Sequence, residues 1–64
     1  MATTCVVTYK NGREQYIEIG DEYDSYEWEE EDGFFYLYGR DNFHEKTHLI
    51  AKIRLKAING YYFE

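Results

Sequence analysis

Two Asx-Gly dipeptides, Asn11-Gly12 and Asp32-Gly33, each set between runs of β-branched and aromatic residues, constrain this chain more than any other feature. Such a pair favours a type I′ turn, because both central residues must adopt positive φ and the turn's twist then matches the strands it joins. The first pair predicts strands over residues 3–10 and 13–19. A two-residue turn sets Lys10 opposite Arg13, Thr8 opposite Gln15 and Val6 opposite Ile17. On that register Thr4, Val6, Ile17 and Ile19 share one face, and Cys5, Val7, Tyr9 and Tyr16 the other.

Residues 20–25 read as a polar connection. In residues 26–30 rings alternate with carboxylates, so Tyr26 and Trp28 point one way while Glu27 and Glu29 point the other. After Asp32-Gly33, residues 34–38 form a continuous apolar run, expected to be a central strand covered on both sides, to dominate the core and to end at Gly39. Residues 39–47 read as a charged loop. From His48 onward, Leu49, Ala51, Ile53, Leu55 and Ala57 alternate with a set that only Ile50 makes less than polar, which is strand periodicity. A helix over 42–58 is the alternative, because Asn42 and Glu45 resemble a capping box and Asn59-Gly60 resembles a C-terminal cap. A turn or short helical piece near 56–60 then leads into a terminal edge strand over 61–64. The fold class is therefore all-β: a small antiparallel sheet or partly open barrel of five to six short strands, in one domain over residues 1–64.

A chain of 64 residues buries only about 60% of the surface its unfolded form exposes, so extra burial is needed. Cys5 is the one cysteine and no internal disulfide can form, so the 8 Tyr, 4 Phe and 1 Trp must supply much of that burial. A lone thiol suits a reducing compartment. The start, Met1-Ala2-Thr3-Thr4, lacks the basic and apolar stretches of a leader, and no run of about 18 apolar residues occurs. A cytoplasmic protein with no membrane span is expected.

The net charge of −6 is unevenly placed. Residues 21–33 hold eight carboxylates and no base, whereas residues 34–64 hold five bases against three carboxylates. A concentrated negative segment opposes direct nucleic-acid binding and favours a partner protein with a basic surface. His44-Glu45-Lys46-Thr47-His48 matches the zinc-protease pattern, which works by placing two imidazoles on one helical face. In a loop and strand that spacing has no such meaning, so the histidines read as solvated and no metal is assigned. The acidic segment lacks the D-x-D-x-D-G spacing of a calcium loop. Neither a phosphate-binding glycine loop nor a nucleophile motif is present. Catalytic residues, cofactors and enzymatic activity are therefore not expected.

Glu27, Glu29 and Glu31 would project on one side of a strand at intervals of about 6.6 to 7 Å, near the phosphate spacing of a single nucleic-acid strand. The candidate partner-binding set is Tyr26, Glu27, Trp28, Glu29, Glu30, Glu31 and Asp32, with Tyr26 or Trp28 as anchor. Tyr26, Trp28, Tyr36 and Tyr38 make a weaker candidate for stacking bases, since the basic residues Lys46, Lys52, Arg54 and Lys56 are expected to pair across strands with the glutamates. With no proline to protect their edges, the outer strands also offer a route to a homodimer.

The stretches Val7-Thr8-Tyr9-Lys10-Asn11-Gly12, Asp32-Gly33-Phe34-Phe35-Tyr36-Leu37-Tyr38 and Leu49-Ile50-Ala51-Lys52-Ile53-Arg54-Leu55-Lys56-Ala57-Ile58 together resemble an arrangement found in small β-sheet proteins of bacteria and their phages. That resemblance implies an origin on a mobile element, and hence an inhibitor that masks a basic, nucleic-acid-binding surface of a host protein. A structural or oligomerising β module without catalytic activity is the alternative.

Overall fold

The computed structural model describes residues 3–64, so Met1 and Ala2 of the amino-terminal tetrapeptide lie outside the described residues. Six strands follow in order: β1 (Thr3–Tyr9), β2 (Glu14–Ile19), β3 (Ser25–Glu31), β4 (Phe34–Asp41), β5 (Lys46–Arg54) and β6 (Ile58–Phe63), with one 3₁₀ turn at Leu55–Ala57 before β6. They form two open antiparallel sheets, ordered β2-β1-β6 and β3-β4-β5. The helix considered for 42–58 does not form. Strict alternation in that segment, together with pairing to β4, outweighs the two capping signals. No helix among the described residues is long and apolar enough to cross a membrane.

The two Asx-Gly turns differ. Asp32 and Gly33 both have positive φ, at 51° and 83°, and Glu31 pairs with Phe34 across a two-residue type I′ turn, as the sequence predicts. In the first hairpin Gly12 has φ of 89° while Asn11 is not in the left-handed region. Gly12 N–H donates to Tyr9 O, Tyr9 N–H donates to Arg13 O, and Arg13 N–H donates to Asn11 Oδ1. The loop is thus three residues, a type I turn closed by a glycine bulge. The register moves by one: Val6 faces Tyr16, Cys5 faces Ile17 and Thr3 faces Ile19. Ile17 and Ile19 therefore join Cys5 and Val7, and the face assignment made from a two-residue turn is corrected accordingly.

Cys5, Val7, Ile19, Phe35, Leu37 and Ile58 form the buried core between the sheets. Burial pushes the Cys5 thiol pKa up. Aromatic contacts join β6 to the other sheet: Tyr61 lies 4.2 Å from Phe35, and Phe63 lies 5.0 Å from Tyr26 and 4.5 Å from Trp28, centroid to centroid. Val6 is also fully buried but on the outer side of its sheet, between its ladder neighbours Tyr16 and Tyr62.

The second sheet corrects three sequence expectations. β4 is not covered on both sides, because Phe35 and Leu37 are buried while Phe34, Tyr36 and Tyr38 are half-buried on the outer face. Gly39 does not end β4. The Tyr23 ring lies against it so closely that a Cβ there would come within 2.6 Å of the ring, and the strand continues to Asp41. In β5 a bulge places Ile50 between residues paired to Leu37 and Tyr38. The alternation reverses at that point, so Ile50 packs against the core and Leu49 turns outward.

Candidate functional site

The outer face of the β3-β4-β5 sheet is built in rows by the ladder register. Glu31, Phe34 and Arg54 form one row, Glu29, Tyr36 and Lys52 the next, and Glu27, Tyr38 and Leu49 the third. The rings of β4 make a stripe, with centroids 6.2 Å apart from Phe34 to Tyr36 and 6.1 Å from Tyr36 to Tyr38. Lys52 Nζ lies 4.4 Å from the Phe34 centroid and 5.5 Å from that of Tyr36, and the Arg54 guanidinium lies 5.3 Å from Phe34. These are cation–π distances. The expected pairing of Lys52 and Arg54 with the glutamates is absent among the described residues, for a topological reason. The central strand separates β3 from β5, and the cations rest on its rings instead. Lys46 pairs in register with Asp41, and Lys56 lies in the 3₁₀ turn.

Glu27, Glu29 and Glu31 thus stand in line beside the stripe, none within 4 Å of a cation among the described residues. Tyr38 Oη donates to Glu29 Oε1 at 3.4 Å, and partial burial together with this carboxylate raises the Tyr38 pKa. Glu27, Trp28, Glu29, Tyr38 and Thr47 line a shallow groove at this edge.

The seven residues singled out from the sequence divide between two faces. Tyr26, Trp28 and Glu30 alternate to the inner side, where Tyr26 stacks on Phe63, Trp28 lies tilted against the same ring, and Glu30 Oε2 accepts a 2.7 Å hydrogen bond from Tyr61 Oη. Burial and this carboxylate push the Tyr61 pKa up to about 12. Glu27, Glu29 and Glu31 take the outer side, and Asp32 occupies the turn. Tyr26 and Trp28 thus stand on the opposite face from the three glutamates, though Trp28, 47% exposed, still lines the edge groove with Glu27 and Glu29. The rings in register beside the glutamates are Phe34, Tyr36 and Tyr38. Their spacing at every second residue was present in the sequence, hidden inside a run that is apolar throughout. For the same reason the four-ring platform of Tyr26, Trp28, Tyr36 and Tyr38 is split across the sheet.

At the β4–β5 hairpin tip, Phe43 is 87% exposed. The turn beneath it is tied down: Asn42 N–H donates to Asp24 Oδ2, His44 N–H to Asp41 Oδ1, and His44 Nδ1 lies 2.6 Å from Asp41 Oδ2. The His44 contacts hold the Asp41 carboxyl below its usual pKa. His48 is on β5 with its ring tilted against Tyr23, so the helical geometry that gives the H-E-x-x-H spacing its meaning does not arise. Among the described residues no three His, Cys, Asp or Glu side chains converge as metal ligands.

No protein-family model, curated protein or solved structure matches this chain.

Proposed function

We propose that this chain is a non-catalytic protein-binding module that uses the outer face of the β3-β4-β5 sheet to occupy a basic surface, of the kind that grips nucleic acid, and so inhibits its owner. The observation carrying this reading is the row of Glu27, Glu29 and Glu31, without a cation partner among the described residues and flanked by half-buried rings. Carboxylates at strand spacing give a rim of complementary charge, and half-buried aromatic rings give desolvatable contact area at small entropic cost. In this reading the module needs no cofactor and works in the cytoplasm, in line with its single buried thiol. The phage-type origin implied by the sequence resemblance belongs to the same proposal.

The test is displacement. The protein is titrated into complexes of basic nucleic-acid-binding proteins with a fluorescent single-stranded oligonucleotide. Displacement that weakens steeply with ionic strength, and is lost in E27Q/E29Q/E31Q, supports the reading. Displacement unaffected by the triple substitution rejects it. The open strand edges favour a second reading, an oligomerising β module. Salt-insensitive self-association in sedimentation would support that one instead.

A further inference from the structure

β3 is an edge strand guarded only by the charge of its glutamates. It carries no proline, lysine or bulge, and its pairing with β4 is continuous over all seven residues. The type I′ turn fixes which backbone groups are spare. In a two-residue hairpin the flanking pair, Glu31 and Phe34, is the hydrogen-bonded one, so Glu27 and Glu29 also bond inward to β4. The N–H and C=O groups of Tyr26, Trp28 and Glu30 then point to the open side, and no backbone bond to another segment engages them among the described residues.

A strand added antiparallel at this edge would meet Glu27, Glu29 and Glu31 in non-hydrogen-bonded pairs. In such pairs Cα atoms approach to about 4.5 Å and side chains are closest. Self-pairing of two β3 strands would set carboxylates against carboxylates, which disfavours a second copy here. The sheet already shows what its outer stripe accepts, since Lys52 and Arg54 rest on Phe34 and Tyr36, while Tyr38 pairs only with Leu49 on that side.

Resting on the basic-partner reading above, we propose that the partner presents an extended segment with arginine or lysine at every second residue, and that this segment adds to β3 as a fourth strand of the sheet. Its cations lie over Glu27, Glu29 and Glu31, and its intervening residues exchange backbone hydrogen bonds with Tyr26, Trp28 and Glu30.

The probe is a seven-residue peptide alternating arginine and threonine, the length of β3. It is compared by calorimetry with an isomer carrying the same arginines in one block. Two further peptides are N-methylated, one at the threonine amides and one at the arginine amides. The alternating peptide should bind about tenfold tighter than the block isomer, the worth of three close cross-strand pairs. Methylation of the threonine amides should abolish that advantage, and methylation of the arginine amides should spare it. On binding, the amides of Tyr26, Trp28 and Glu30 should become protected from hydrogen exchange.

Equal binding of all four peptides would overturn strand addition and leave the basic-partner reading standing. No binding by any of them at low salt, together with no oligonucleotide displacement, would sink both. Protection of those three amides in the protein alone, rising with its concentration, would assign the edge to a second copy and overturn the proposal.

Discussion

The Tyr61 hydroxyl is held neutral by burial and by the carboxylate of Glu30, which accepts its hydrogen bond. Its pKa is raised from 10.0 to about 12 in the fold. The stabilisation linked to this shift is complete below the unfolded value and is lost as pH rises from about 10 to about 12, because the native state then holds a proton the unfolded chain has released. Urea denaturation of the native protein at pH of about 9.5 and about 11.5 should show a fall in stability, and Tyr61→Phe should lessen that fall. An identical fall in both proteins would remove Tyr61 from the account. The Tyr16 and Tyr38 pKa values are also raised, by hydrogen-bonded Glu14 and by partial burial beside Glu29 respectively, so some alkaline dependence should persist in the variant. No sequence pattern announces this contact, since Tyr61 and Glu30 meet only when β6 packs under β3.

Turns decide the elements of this fold, and they show where sequence reading succeeds and where it stops. Asn11-Gly12 and Asp32-Gly33 carry the same signal, yet one belongs to a three-residue loop and the other to a two-residue loop. The dipeptide supplies a residue tolerant of positive φ in both cases, and the surrounding pairing selects the turn. The difference predicts opposite signs for the same kind of substitution. Asp32→Gly should be neutral or stabilising by up to about 1 kcal/mol, because it relieves a left-handed non-glycine residue. Asn11→Gly should cost about 1 kcal/mol, because it loses the Oδ1 acceptor for Arg13 N–H and loosens a residue that needs no positive φ. Equal signs in urea denaturation would mean that the turns are alike. Period-two patterning made the strands legible, along with the split between Glu27 and Glu29 on one side of β3 and Tyr26 and Trp28 on the other. It failed at Gly39, where the ring that covers the backbone comes from Tyr23, and at Ile50, where a bulge reverses the faces. The aromatic half of the candidate surface was hidden because residues 34–38 are apolar on both faces, and only the packing partner tells which rings are covered.

At the scale of the molecule, the Cα positions span 38 × 27 × 11 Å, so the core is a single layer thick. A chain of this length has about 3 to 10 kcal/mol of stability in all, and truncating a buried phenylalanine to alanine costs about 3 to 5 kcal/mol. Phe35→Ala should therefore leave much of the population unfolded, whereas Phe34→Ala, one residue away on the outer face, should fold and lose mainly its contacts with Lys52 and Arg54. Circular dichroism and amide shift dispersion would separate the two, and a reversed order would mean that β4 is turned over. The placement of Lys52 and Arg54 on the far strand from the glutamates has a further outcome. Negative charge collects along one margin of the sheet and positive charge along the other, giving this sheet an in-plane electric dipole. Within about 10 Å of a charged body at ordinary salt, such a dipole feels a torque as well as an attraction. The contribution of this sheet favours a β3-first approach to a cationic surface before any contact is made.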